Sequence, residues 1–178
     1  MEVLIDAAYR AADVAALPVE ELARFVLEQE HCPQNTEVSL SFVDDGEIAA
    51  LNAEYRGKEG PTDVLSFECD GLDDDWDDGL AAGADAGGPF VLGDVVVAVD
   101  VVERQTGAFG TTFEGELSLL LVHGLLHLCG HDHIQDDEAC EMEAREAELL
   151  GAWAARRGLS MDVFGQLNGA AARVRGEH

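Results

Sequence analysis

The sequence of 178 residues lacks several features that would each indicate a particular class of protein. It has no run of about 18 apolar residues, which predicts that no helix spans a membrane. Met1–Asp6 lacks a basic start followed by an apolar stretch, so a secretory signal is not expected. The four cysteines show no Cys-x-x-Cys spacing, which favours reduced thiols over a cysteine metal site. We therefore expect a cytoplasmic protein without a membrane partner.

Basic residues are also scarce. Ten Lys and Arg residues against 37 Asp and Glu residues give a formal net charge of −27. This charge disfavours broad attraction to a polyanion such as nucleic acid. Because physiological salt screens charges beyond about 8 Å, distant carboxylates matter less than their number suggests. A nucleic-acid substrate would need a local positive site.

Length and a hydrophobic fraction of 47% fit one globular domain, expected over residues 1–164, with a mobile tail over residues 165–178. Alternating and continuous apolar runs predict four strands, and helical spacing predicts the helices. We expect an α+β fold in which a small mixed sheet of about four strands packs with helices. The predicted strands are 3–5, 38–43, 63–67 and 92–99, and the predicted helices are 18–29, 44–55, 100–105, 114–129 and 136–157. Asp100 is expected to cap the helix at 100–105.

Residues 70–88 separate two of these strands and are rich in Asp, Gly and Ala. This composition is typical of a flexible, solvated loop. A calcium loop would need carboxylates at alternating positions, a glycine turn and a closing Glu, and the segment lacks that register. The acidic loop could also serve as a lid or a specificity element.

The most informative stretch is HGLLHLCGHDH, residues 123–133. His123 and His127 are four residues apart, so on a helix they lie on one face. Gly130 can end that helix in a left-handed turn, which allows the chain to bring His133 towards them. Satisfied core histidines are the alternative, but a metal ion gives all three imidazoles a partner. Three neutral ligands with an open position for water predict a catalytic metal site.

The ligand spacing matches the metzincin protease pattern HExxHxxGxxH, with one difference. Position 124 is Gly, where the protease has the Glu that acts as general base. General acid–base assistance contributes about 10²–10⁴-fold in rate. The zincin-like helix therefore keeps the metal ligands and loses the peptidase base. His131, eight residues from His123 with the turn between them, is expected to be a neighbour and not a ligand.

Four stretches resemble the YbeY family of bacterial endoribonucleases, in the family's order, between about residues 36 and 155. They are Asn52–Phe67 (N-x-x-Y-R-x-x-x-x-P-T-D-V-L-S-F), Leu92–Val96 (L-G-D-I-V), His123–His133 (HGxLHLxGYDH) and the helical stretch Glu141–Glu146. Two positions depart from the family pattern. His131 replaces a usual Tyr, and Thr111 stands where the family often has a His.

The resemblance implies an α+β endoribonuclease that matures ribosomal RNA, cutting single strands near the 3′ end of 16S rRNA, and that takes part in ribosome quality control. It implies one zinc ion on His123, His127 and His133, although three histidines also suit other divalent transition metals. Its expected partners are single-stranded RNA and the small ribosomal subunit or its proteins. Arg56 becomes a candidate catalytic residue alongside His123, because a guanidinium can clamp two phosphate oxygens. From charge alone, Arg56 would simply pair with a carboxylate.

Other candidates are less specific. Lys58 could add a second positive charge near the phosphate. Asp132 could orient a ligand imidazole, or it could be a turn residue beside Gly130. Ser66 is a further candidate to support a ligand or to contact the substrate. Ser66 and Asp63 lie on a strand next to the loop, and the sequence does not decide the role of either.

Two other functions stay open at this point. A metallopeptidase or another metallohydrolase is favoured by the ligand spacing and opposed by Gly124. A non-enzymatic ribosome-assembly factor with a structural metal is favoured by the acidic surface, which could bind basic ribosomal proteins. The open metal position opposes that reading, because structural zinc sites are usually closed.

Overall fold

A computed structural model describes residues 1–69, 88–131 and 136–164. Most of the predicted acidic loop, residues 70–87, and the predicted tail, residues 165–178, lie outside these ranges. The elements are β1 Glu2–Asp6, α1 Ala11–Ala15, α2 Val19–Gln29, β2 Thr36–Val43, α3 Asp45–Arg56, β3 Val64–Glu68, β4 Phe90–Ala98, α4 Val99–Phe109, α5 Phe113–Leu128 and α6 Asp136–Arg157, followed by a 3₁₀ helix, Met161–Phe164. Within the described ranges, no helix is long and apolar enough to cross a membrane.

The four strands form one mixed sheet in the order β1-β2-β4-β3. β1, β2 and β4 are parallel, and β3 pairs antiparallel with β4. This confirms the predicted α+β class and leaves β1 and β3 at the two edges. Gly93 forms a bulge in β4, with φ of +150°, and a Cβ there would lie 2.2 Å from the carbonyl oxygen of Phe67. Only glycine allows the edge strand β3 to lie this close.

Helix α5 runs through the core, as its nearly continuous apolar sequence predicts. Every residue from Gly115 to Leu126 is buried. The Thr112 side chain caps the helix by accepting a hydrogen bond from the backbone N–H of Gly115 at 3.0 Å. Because α5 packs against both β3 and β4, it carries its last turns to the edge of the sheet where β3 lies.

The sequence-based prediction was wrong at two elements. Helix α1 was not predicted, because its five residues have no capping side chain and too few positions to show a helical period. Asp100 was expected to cap α4, but β4 leads directly into a helix that begins at Val99. Asp100 instead lies in the first turn and accepts hydrogen bonds from Tyr9 and Arg10. All four cysteines lie in the described ranges, and none of them forms a disulfide there.

Candidate functional site

His123 and His127 converge on one face of α5. Their Nε2 atoms lie 3.1 Å apart, and the rings are nearly perpendicular, at 82°. Two nitrogen ligands of one tetrahedral zinc ion, each about 2.0–2.1 Å from it, lie about 3.4 Å apart. The separation therefore fits two ligands of a shared ion. His133, the third predicted ligand, lies outside the described residues, within which no group of three possible ligands occurs.

Glu146 on α6 orients His123. Its carboxylate is bonded to Nδ1 of His123, and both side chains are almost completely buried. A hydrogen bond donated by Nδ1 to this carboxylate would leave the Nε2 lone pair of His123, which faces His127, available to a metal ion. The sequence reasoning considered this role for Asp132, which lies outside the described residues, and missed Glu146.

A signal for Glu146 does exist in the sequence. It lies four residues after Met142 and three before Leu149, both of which are buried. A carboxylate on the apolar stripe of an amphipathic helix must find a partner in the core. The partner itself could not be read from the sequence, because the contact joins residues 23 positions apart.

The predicted turn after α5 is confirmed. Gly130 has φ of +96°. The backbone N–H of His131 donates to the carbonyl of Leu126 at 3.0 Å, and that of Gly130 donates to the carbonyl of His127 at 3.1 Å. These two bonds form a Schellman motif, which satisfies the last carbonyls of the helix.

His131 is held by α2 and α6 and not by the histidine pair. Its Nε2 lies 3.1 Å from the Glu30 carboxylate, which also accepts a 2.6 Å hydrogen bond from Arg145. Burial alone would raise the pKa of Glu30, but the hydrogen bonds from His131 and Arg145 outweigh it and hold that pKa below its ordinary value. Glu30 is therefore an anion that holds His131, the residue immediately after the turn at Gly130.

Gly124 is required by packing. An ideal Cβ at this position would lie 2.7 Å from Val95 Cγ1 and 3.2 Å from Ser66 Oγ. The Ser66 hydroxyl donates to the carbonyl oxygen of Gly124 at 3.0 Å, which ties β3 to α5. The peptidase Glu has no room at this position, and Ser66, a candidate without a decided role, proves to join the strand to the ligand helix.

Arg56 lies at the end of α3, beside β3. One of its terminal nitrogens donates to the carbonyl oxygen of Ser66 at 2.7 Å, and its Cζ lies 5.7 Å from the centre of the Phe67 ring. Among the residues that the structure describes, no carboxylate forms an ion pair with Arg56. Gly57, with φ of +65°, ends the helix directly after it.

One cavity of about 520 Å³ brings these groups together. Its walls include Arg56, Ser66, Phe67, His123, His127 and His131. Lys58 is exposed beyond the end of α3 and is not among the described residues that line the cavity. Asp63 is buried at the start of β3, where it accepts hydrogen bonds from the Val64 backbone and the Gln105 side chain.

Thr111, where the family often has a His, is remote from this cavity. It precedes α5, and its hydroxyl donates to the buried carboxylate of Glu116 at 3.1 Å. Phe113 and His123 are ten positions apart on α5, which corresponds to about 15 Å of helix. The departure therefore lies at the opposite end of α5 from the histidine pair.

Known proteins match most of the chain. The model of the family Endoribonuclease YbeY matches residues 8–154. An endoribonuclease YbeY of Macrococcus caseolyticus is 40% identical over 146 residues, which are 82% of this chain and 90% of the relative. That of Frankia casuarinae is 41% identical over 143 residues, or 80% and 70%. A solution structure of a Thermotoga maritima protein matches with a TM-score of 0.54 at 25% identity and covers 86% of this chain and 93% of that one. The chain belongs to the YbeY endoribonuclease family.

Proposed function

We propose that the chain is a zinc-dependent endoribonuclease that hydrolyses single-stranded RNA, with ribosomal RNA as its substrate. Its relatives are named endoribonucleases, which are hydrolases of phosphodiester bonds. The observation that carries the proposal is one cavity with two converging imidazole nitrogens and an arginine without a carboxylate partner among the described residues. Hydrolysis of a phosphodiester uses groups of these two kinds: ligands for a metal ion that acts as a Lewis acid, and a cation that binds the phosphate oxygens.

The histidines would hold the metal. His123 and His127 supply two nitrogen ligands, His133 is the expected third, and the resulting site leaves a position for water. When bound, zinc would activate water and polarise a phosphoryl oxygen. Glu146 keeps the proton of His123 on Nδ1, so that Nε2 remains a ligand.

Arg56 would bind the phosphate. Its guanidinium has five N–H donors, and the hydrogen bond to Ser66 fixes the group on the edge of β3. The remaining donors can face two oxygens of a phosphodiester. Glu68 also lines the cavity, so the positive charge of the site would come from Arg56 together with the bound metal ion. Such a local positive site would bind one stretch of a single strand, whereas the net charge of −27 disfavours binding of RNA over a broad surface.

The cellular setting follows from the same proposal. Single strands near the 3′ end of 16S rRNA would be presented by the small ribosomal subunit or its proteins in the cytoplasm. Lys58, which does not line the cavity, would act at the margin of the site. Asp132 lies outside the described residues and stays a candidate to orient a ligand imidazole.

The packing at Gly124 argues against a peptidase. A general base there would collide with Val95 and Ser66. The carbonyl of Ser66, on the edge strand where a peptide backbone could pair, already accepts a hydrogen bond from Arg56. A purely structural metal is opposed by the position of the histidine pair, which opens on a cavity of about 520 Å³.

The test uses the purified protein on single-stranded RNA, duplex RNA and casein, before and after a chelator and again after added zinc. We expect cleavage of single-stranded RNA alone, loss on chelation and recovery with zinc. His127→Ala should lose both zinc and activity. His31→Asn is the matched control, because His31 is exposed and does not line the cavity. RNA cleavage that persists in His127→Ala, or casein cleavage by the wild type, would overturn the proposal.

A further inference from the structure

We propose that Tyr55 is a specificity-determining residue that stacks on one unpaired nucleobase, next to the phosphate held by Arg56. This inference rests on the proposed function and deepens it. It concerns which nucleotides the cavity accepts, and its observations are separate from those on the metal ligands.

The first observation is the exposure of Tyr55. It is 60% exposed, more than any other exposed large apolar side chain of the described residues. Its ring lines the same cavity as His123, His127 and Arg56. An aromatic ring left open at the wall of a cavity is a surface that a flat apolar ligand can cover.

The second observation is that the Tyr55 ring has a rigid support. It packs at 65° against Phe67 on β3, with ring centres 5.2 Å apart, which is an edge-to-face arrangement. The Arg56 guanidinium lies over the same Phe67 ring. The strand therefore holds the aromatic and the cationic group in a fixed relation, and neither has to be ordered when a ligand binds.

The third observation is their adjacency. Tyr55 and Arg56 are consecutive residues in the last turn of α3, which ends at Gly57. Each nucleotide of RNA joins a flat base to a charged phosphate, so neighbouring aromatic and guanidinium groups match the two parts of one nucleotide. A free phosphate has no flat group to cover the ring.

A stacking residue here would explain a preference for single strands. In a duplex, each base has both faces covered by its neighbours, whereas a base in a single strand can turn out and stack on an aromatic side chain. Because every base has such a face, the contact tolerates all sequences. The cavity would then select the conformation of the strand and not its sequence.

The alternative is that Tyr55 only packs on Phe67. The two readings differ in what they predict for an RNA that lacks one base. A packing residue affects all substrates equally. A stacking residue loses its contribution when the base that it contacts is missing.

The experiment measures kcat/KM of the metal-loaded enzyme on a short single-stranded RNA and on a series of the same RNA with one abasic site at each position. For Tyr55→Ala we expect a loss of about 5- to 150-fold on the intact RNA, mainly in KM, the range given by base–aromatic stacking. At one abasic position, the wild type should fall to the level of Tyr55→Ala, and the variant should lose nothing further. Tyr55→Phe should restore activity.

Two controls complete the design. Tyr9→Ala removes the other tyrosine, whose hydroxyl donates to Asp100, and should leave kcat/KM unchanged. Tyr55→Leu keeps an apolar side chain on Phe67, so it separates loss of folding from loss of stacking, and it should lose activity as Ala does. Equal losses at every abasic position, or wild-type activity of Tyr55→Leu, would overturn the role of Tyr55 alone. A wild type that cleaves no RNA would overturn the proposed function as well.

Discussion

The dipeptide Tyr-Arg occurs twice in the chain and accounts for both tyrosines. At Tyr9-Arg10, the guanidinium binds three carboxylates, and the Tyr9 hydroxyl donates to one of them, that of Asp100, at 2.6 Å. At Tyr55-Arg56, the guanidinium binds a backbone carbonyl, and the structure describes no carboxylate paired with it. The carboxylates of the first copy are those of Asp13, Asp100 and Glu103.

Aromatic surroundings do not distinguish the two copies. Arg10 lies 5.6 Å from the centre of the Phe113 ring, and Arg56 lies 5.7 Å from that of Phe67. The two copies differ in whether carboxylates bind the guanidinium. In a chain with 37 carboxylates and ten Lys and Arg residues, pairing is the ordinary outcome for an arginine. Arg56 lines the cavity without such a partner among the described residues, so its remaining N–H donors are available to an external anion.

The largest expected effect is on the activity of a variant that lacks Arg56. Arg56→Ala should lower kcat/KM on single-stranded RNA by about 10²–10³-fold, because it removes donors from the charge that develops on the phosphate. Its melting temperature and zinc content should stay close to those of the wild type. Arg56→Lys should recover only part of the loss, since an ammonium cannot bind two oxygens in a planar fork.

Arg10→Gln is the matched control for activity. Arg10 belongs to the paired copy, Tyr9-Arg10, whose arginine is ion-paired, and it lies far from the histidine pair. Its loss should leave kcat/KM per folded molecule unchanged. If Arg56→Ala keeps full activity, or if both arginine variants lose it alike, then the missing carboxylate partner at Arg56 has no functional meaning.

The fold was largely predictable because its signals are local. The four strands and the central helix follow from apolar patterns, and the turn at Gly130 follows from one glycine after a helix. The five-residue helix α1 was not predictable, since it is too short to show a period. The role of Asp100 was misread because the sequence does not show that β4 and α4 join without a loop.

The site was predictable where one segment carries it. His123 and His127 share a helix face, so their spacing alone brings them together. Glu146 and Tyr55 come from other helices, and no local pattern joins them to that face. Gly124 combines a predictable and an unpredictable feature. The sequence shows that the general base of the peptidases is absent, whereas only the packing against Val95 and Ser66 shows why a side chain is excluded.

The second prediction concerns the packing of α5 against the strand that holds Arg56 of the other copy, Tyr55-Arg56. Gly124→Ala would place a Cβ 2.7 Å from Val95 Cγ1 on β4 and 3.2 Å from Ser66 Oγ on β3. It would therefore push α5 from both strands, and the Ser66 carbonyl on β3 holds Arg56. Overpacking of this kind costs about 1–3 kcal/mol, partly offset by about 1 kcal/mol of helix propensity. We expect a net loss of up to about 2 kcal/mol in denaturant unfolding and a lower kcat/KM.

Gly151→Ala on α6 is the control, because a Cβ at that position meets no atom within 4 Å. It should be neutral or stabilise by up to about 1 kcal/mol. A Gly124→Ala protein as stable and active as the wild type would show that α5 need not lie so close to β4 and β3.

The third prediction concerns the stability of the paired copy. Arg10→Gln should lower the free energy of unfolding by about 1–2 kcal/mol, since it removes three ion pairs and the contact with Phe113 and leaves neighbouring carboxylates to repel one another. Urea unfolding measures the change. In a double-mutant cycle with Asp100→Asn, the two losses should not add, because the side chains share one network. Additive losses would mean that the network has no coupling in solution.

The smallest effect is a titration of the paired copy. The hydrogen bond to Asp100, followed by burial and the Asp100 charge, raises the pKa of Tyr9 above its ordinary value of 10.0. Because the folded pKa is raised, the stabilisation is complete below the ordinary value and is lost as pH rises through the folded one. Tyr55→Phe leaves Tyr9 as the sole tyrosine, so its absorbance can be titrated alone. The midpoint should lie above 10.0, and Asp100→Asn should bring it back towards 10.0. A midpoint at or below 10.0 in the Tyr55→Phe protein would mean that Tyr9 does not donate to Asp100 in solution. The two copies would then differ only in the partners of their arginines.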